Sequence, residues 1–250
     1  MTQDERRVWL IRAMLSEQGY RNEIPQDVFE QKRLLRGLFN VRPPMKASDD
    51  FLRIEGDYLE EATREKGVTA LSDLSPVREH RYLWQGDITT LKVDAIVNAA
   101  NAGLLGCMVP NHLCIDNAIH TFSGVELRLA CHEIIQKQGH AEPTGTAKIT
   151  PGFHLPATYV LHTVGPIVSG PLTKRHEELL ASCYKSCLDL ARRNGLLSVA
   201  FCCISTGVFC FPNRRAAEIA IETVDAFAGD LDVVFNVWKE KDHAIYRALL

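Results

Sequence analysis

The sequence has no cysteine in its first 106 residues. It has no apolar run near the roughly 20 residues that cross a bilayer; Leu196 to Ile204 is among its longest. Charge of one sign is also missing. Lys and Arg number 28 against 31 Asp and Glu, so no basic excess argues for a nucleic-acid or membrane-surface partner. No Gly-x-Gly-x-x-Gly follows a strand-like run and no Gly-Lys-Ser/Thr is present, which excludes the dinucleotide fingerprint and the Walker loop. The short apolar stretch after Met1–Arg7 is broken by Arg12, so no secretory signal is predicted. What is there is ordinary for a globular chain: 250 residues, 46% hydrophobic and 24% charged, enough for one large domain plus an extension.

All eight cysteines lie between Cys107 and Cys210. A disulfide scaffold spreads them through a smaller chain. Cys183 and Cys187 fall on the apolar side of a helical pattern, and Cys202 and Cys203 in an apolar strand-like run. They read as small buried hydrophobes in a reducing cytoplasm. Cys107 and Cys114 are different.

Residues 1–75 read as a helical extension, with apolar residues at helical spacing from Val8 to Leu15, Val28 to Phe39 and Phe51 to Ala62. Ser48 is a helix start and Gly67 a stop. Residues 76–250 change to alternating strand and helix. Strands are predicted over Arg81–Gln85, Val93–Asn98, Thr146–Thr150, Tyr159–Val164, Leu197–Ile204 and Leu231–Trp238. Helices are predicted over Asp116–Gln136, Thr173–Asn194, from a cap at Asn213 to Ala228, and over Lys239–Leu250. That alternation predicts a three-layer α/β sandwich.

Four segments carry chemistry. Gln85-Gly86-Asp87-Ile88-Thr89 follows a strand, where open α/β folds place ligands; its carboxylate suits an exocyclic amine such as that of adenine, or simply caps a turn. Val97-Asn98-Ala99-Ala100-Asn101-Ala102 sets two amides among alanines; Asn offers donor and acceptor to a sugar hydroxyl, or bonds its own turn. Ile204-Ser205-Thr206-Gly207-Val208-Phe209 has no Lys or Arg through Asn213, so any anion it binds meets backbone N–H groups. Cys107, His112 and Cys114 fall within eight residues. Zn²⁺ takes thiolate and imidazole, and three protein ligands leave a fourth position open. A closed structural site, completed from elsewhere, and coincidence in a cysteine-rich segment stay open as alternatives.

Together these segments resemble the macrodomain family, from about Leu83 to Trp238. The resemblance rests on Gly86–Thr89, Val93–Asn101, Asp116-Asn117-Ala118-Ile119-His120, Leu161-His162-Thr163-Val164-Gly165-Pro166 and Ile204–Val208, in that order. Cys107–Ile115 stands where most macrodomains have glycines. With the helical extension, it is similar to a zinc-containing microbial subclass. The resemblance implies a mixed central sheet, one Zn²⁺ per chain, and a hydrolase that removes ADP-ribose from a modified protein. It also implies a link to a sirtuin-type ADP-ribosyltransferase and a lipoyl-carrier protein.

Residue by residue, the resemblance puts Asp87 on the adenine amine, Ile88 beside the ring and Asn101 on the distal ribose. Cys114, Ile115, Asp116 and Asn117 would line one side of the diphosphate, and Ser205, Thr206, Gly207, Val208 and Phe209 the other. Cys107, His112 and Cys114 would hold zinc near the distal ribose. Asn101, Cys114 and Asp116 are the catalytic candidates, Asp116 as proton acceptor or as helix-start anchor; His120 is expected to be packing. The competing readings are a reader of ADP-ribose without turnover and a hydrolase of free O-acetyl-ADP-ribose.

Overall fold

The computed structural model describes residues 1–20 and 23–250. Three helices come first: α1 (Gln3–Glu17), α2 (Val28–Val41) and α3 (Asp49–Lys66). Each starts where a side chain satisfies a free N–H. Thr2 and Glu5 form a reciprocal capping box, Asp27 accepts from Glu30 N at 2.9 Å, and Ser48 accepts from Phe51 N at 3.2 Å. Gly67 ends α3 at φ 89°, as the sequence predicts. The three helices bury their own apolar cluster, including Leu10, Ile11, Met14, Leu35 and Leu59. Each such side chain contributes roughly 1.5–3 kcal/mol. Phe122 and Val125 from the next unit join that cluster.

The rest alternates. Strands β1 (Thr69–Ala70), β2 (Pro76–Arg78), β3 (Arg81–Gln85), β4 (Leu91–Lys92) and β5 (Ala95–Ala99) lead to helices α4 (Ile115–Ser123) and α5 (Val125–Gln138). Then come β6 (Ala147–Pro151), β7 (Tyr159–Thr163), α6 (Lys174–Arg193), β8 (Ser198–Phe201), α7 (Asn213–Phe227), β9 (Asp232–Val237) and α8 (Glu240–Leu249). The main sheet has seven strands in the order β2-β3-β9-β8-β5-β7-β6. Its five inner strands run parallel, and β2 and β6 pair antiparallel at the edges. The sheet is therefore mixed. Helices α6, α7 and α8 pack in series as one layer; α4 and α5 form the other, with α2 and α3 stacked on α4.

Three expectations are corrected. The helix predicted over Asp116–Gln136 is two helices, broken at Gly124 with φ 94°. That conformation suits glycine, and a Cβ there would meet His154 and Glu55 at 2.9–3.0 Å. Strand β8 stops at Phe201, three residues before the predicted Ile204, and Cys202 and Ile204, still buried, belong to the coil and turn that follow. Asn213 does not cap α7: Pro212 holds that position, and the Asn213 amide donates to Asp242 Oδ1 at 2.7 Å.

Candidate active site

Parallel strands put their carboxyl ends on one side. Asp87 follows β3, Asn101 follows β5 and Ser205–Phe209 follows β8. Three of the sequence motifs therefore open on one rim.

Asp87 accepts through Oδ1 from Thr89 N and Oγ1, at 3.0 and 2.6 Å. Its Oδ2 meets Lys66 Nζ at 2.9 Å. Burial pushes its carboxyl up, but the Thr89 hydrogen bonds and the Lys66 charge outweigh that and hold it below the usual range. Ile88, the next residue, is 1% exposed and packs in the core cluster. Trp238, after β9, is 70% exposed at the same sheet end, its carbonyl accepting from Gln85 Nε2 at 3.3 Å.

The two amides after the apolar part of β5 serve one carboxylate. Asn98, fully buried, donates to Asp116 Oδ1 at 2.8 Å, and Asn101 Nδ2 donates to Asp116 Oδ2 at 3.3 Å. Asn101 Nδ2 also donates to Gly106 O at 2.9 Å, and its Oδ1 accepts from Gly103 N at 3.0 Å. One Oδ1 lone pair on Asn101 is left for a further donor. Burial raises the Asp116 carboxyl to about 6, against the lowering by Asn98, Arg128 and Asn101.

Cys114 is the cap of α4: its sulfur accepts from Asn117 N at 3.4 Å. Cys107 Sγ lies 3.5 Å from His112 Nδ1, and the ligand atoms of Cys107, His112 and Cys114 all fall within 4.8 Å of one another. Burial pushes the Cys114 thiol up to about 11; the Asn117 N–H opposes this and nearby Cys107 adds to it. A divalent cation between two such sulfurs favours their thiolates. Two sulfurs and one imidazole are a donor set that zinc takes, with room for a fourth ligand, so the residues fit that metal. Gly106 holds φ 78° under this loop, where a Cβ would meet the His120 ring at 2.7 Å.

A second group, His120, Cys131 and His162, is fully buried. His162 uses both ring nitrogens, with Asn98 Nδ2 at 3.2 Å and Thr150 Oγ1 at 2.9 Å. His120 is buried in this group, its Nε2 3.6 Å from Asp116 Oδ1.

Two sets of backbone donors have no protein acceptor among the described residues. One is Ile115 and Asp116 at the start of α4; the other is Gly207, Val208 and Phe209 in the loop after β8. Such N–H groups at a helix start and in a turn attract anions. Ser205 holds φ 64°, and its hydroxyl is buried without a partner. Asn117 is fully buried, and its amide donates to Cys107 O and Val109 O at 3.2 and 3.1 Å, bracing the loop.

Four residues were missed by motif reading. Arg36 on α2 donates to Asn117 Oδ1 and to His112 O. Asn40, also on α2, accepts from Asn111 N at 2.8 Å. Arg128 donates to Leu105 O and to the carbonyls of Phe39 and Arg42. Lys66 pairs with Asp87. Arg36, Asn40 and Lys66 belong to the extension and lie 21 or more residues from their partners; only their spacing along helical faces could have hinted at them.

Residues 97–220 match the Macro domain family. A protein-ADP-ribose hydrolase of Treponema medium is 58% identical over the whole of both chains. A protein-ADP-ribose hydrolase of Staphylococcus aureus (strain MSSA476) is 52% identical over 89% of this chain and 84% of its own. The chain belongs to the macrodomain family. Among solved structures, a Trypanosoma brucei macrodomain in complex with ADP-ribose is 32% identical, with a TM-score of 0.65 over 82% of this macrodomain chain and 91% of that one. Among the described residues, no helix of the macrodomain protein is long and apolar enough to cross a membrane.

Proposed function

We propose that this macrodomain protein removes mono-ADP-ribose from a modified protein and releases free ADP-ribose. The observation that carries the reading is the clamp on Asp116: two asparagine amides hold its two oxygens beside the Cys107–His112–Cys114 cluster. Hydrolase relatives at 52–58% identity over most of the chain support the same activity.

In this reading residues 76–250 hold the ligand and residues 1–75 brace its site. Asp87 accepts from the adenine amine, with Ile88 beside the ring. The N–H groups of Ile115 and Asp116 face one side of the diphosphate, and the Ser205–Phe209 loop, including Thr206, the other. Asn101 accepts from a hydroxyl of the distal ribose through its free Oδ1 lone pair. Cys107, His112 and Cys114 would hold one zinc ion, which would supply Lewis-acid polarisation of a sugar hydroxyl or water.

The reaction breaks the bond between the anomeric carbon and the protein side chain, and water oxygen takes that carbon. Positive charge builds on the carbon as the bond opens. Asp116 accepts the proton the water loses and returns it to the departing side chain. Asn98 and Asn101 keep its two oxygens aimed through that exchange.

The family resemblance supports a lipoyl-carrier protein, marked by a sirtuin-type transferase, as the substrate. Eight unpaired cysteines among the described residues suit a reducing cytoplasm. The test is to incubate the protein with a mono-ADP-ribosylated protein and with free O-acetyl-ADP-ribose, and to measure released ADP-ribose and binding of free ADP-ribose. Release from the modified protein supports the reading. Binding without release makes the protein a reader, and turnover of the free ester alone makes it a small-molecule hydrolase.

A further inference from the structure

A cavity of about 560 Å³ lies between α2, α3 and the last turn of α4, with Lys66, the ion-pair partner of Asp87, in its lining. Its floor is apolar, with Leu35, Phe39, Leu59 and Phe122 among the lining residues. Its edge carries Lys32 and Arg33, both exposed and without an ion-pair partner among the described residues. Glu65 is the one acidic residue in the lining. Two features make this more than a gap between helices. Leu113, in the loop between His112 and Cys114, is 89% exposed at its mouth, and Phe29 is 69% exposed across from it. The cavity also adjoins the loop of the candidate metal cluster, because Asn111 and Leu113 line it and flank His112.

We infer that this cleft receives the polypeptide that carries the ADP-ribosyl group, and that it selects a segment with an apolar side chain flanked by carboxylates. This rests on the reading that the rim above the sheet holds ADP-ribose itself. The apolar residue fills the floor against Phe39 and Phe122. Leu113 and Phe29 close over its stem. The carboxylates meet Lys32 and Arg33. A protein chain leaving the distal ribose passes the Cys107–Cys114 loop, and the cleft begins at that loop. The pairs at the edge are solvent-exposed, so they set preference between sequences more than total affinity.

The test uses three synthetic peptides with ADP-ribose on a stable oxime link, identical except for a leucine flanked by Asp and Glu, by Lys and Arg, or by Ser. Titration calorimetry with the full chain measures each, beside free ADP-ribose. The acidic peptide is expected to bind about fivefold or more tighter than the basic one, as two exposed ion pairs of 0.2–1 kcal/mol each allow. The gap is expected to shrink as salt rises. The double variant Lys32→Glu with Arg33→Glu should close or invert it, and Leu113→Ser should weaken all three peptides, both leaving free ADP-ribose affinity unchanged. Equal affinity for acidic and basic peptides, with free ADP-ribose still bound, overturns the docking site and leaves the ligand reading intact. So does octanoate occupying the cleft in place of peptide discrimination, or self-association that Leu113→Ser abolishes. Failure to bind free ADP-ribose at all overturns the ligand reading and this inference with it.

Discussion

Arg36 on α2 donates from Nη2 to Asn117 Oδ1 at 3.0 Å, across 81 residues of sequence, and the same nitrogen donates to His112 O at 3.2 Å. One guanidinium from the extension thus fixes both the base of α4 and the backbone of a metal-ligand candidate. The planar fork of Arg suits this double duty in a way a point-charge Lys does not.

Arg36→Met should therefore weaken metal retention and turnover together. Loss of such a supporting contact costs about 10–100-fold in metal affinity or activity. Elemental analysis after dialysis, beside ADP-ribose release, checks it. Full zinc content with unchanged rate would show that the loop holds its shape without α2.

Asp116→Asn keeps the side-chain shape but sets an amide against the amides of Asn98 and Asn101. Removing a positioned proton acceptor costs about 10²–10⁴-fold in rate. We expect turnover to fall in that range while free ADP-ribose still binds. Binding that disappears with turnover would make Asp116 the anchor of α4 and not the acceptor.

Asp87→Ala should act on affinity and leave kcat nearly unchanged. A charge-assisted hydrogen bond contributes about 1.5–3 kcal/mol, which is about 10–150-fold in Kd. The variant also frees Lys66, so Lys66→Met serves as the control for the ion pair. Calorimetric titration with ADP-ribose reads both.

How much of this was legible from the residues follows from the range of each signal. Strand and helix order came through because β5, β7 and β9 are buried apolar runs and α6 shows Leu180, Cys183, Tyr184, Cys187 and Leu188 on one buried stripe. Periodicity reports such local facts. The break at Gly124 did not show, since it depends on Glu55 and His154 from distant segments. The Cys107–Cys114 cluster was visible as spacing within one loop. Its supports, Arg36, Asn40 and Arg128, were not, because polar residues on a helix face look like any solvated face until the partner helix is placed. A motif likewise marks which residues sit near a ligand, not whether side chain or backbone faces it.

Glu55 gives a pH prediction remote from the ligand rim. Its carboxyl is fully buried, and Oε1 accepts from Val125 N at 2.9 Å, with His154 Nε2 3.9 Å from Oε2. Burial raises it from 4.5 to about 8, against the Val125 N–H and the Arg42 charge, with Glu126 and Glu17 adding to the rise. A raised carboxyl favours the fold in its protonated form. Its contribution is complete below about 4.5 and is lost as pH rises through about 8. Relative to Glu55→Gln, wild type should lose up to roughly 1.4 kcal/mol per pH unit across that window. Urea unfolding at several pH values measures the difference, and parallel curves for the two proteins would exclude Glu55 as its source.

The most direct measurement pairs zinc content with ADP-ribose release in wild type, Cys107→Ala, His112→Ala and Cys114→Ala, each confirmed folded. The account predicts about one zinc per wild-type chain with steady release from a modified protein, and loss of both in every variant. Wild-type rates from a variant that holds no metal would contradict it.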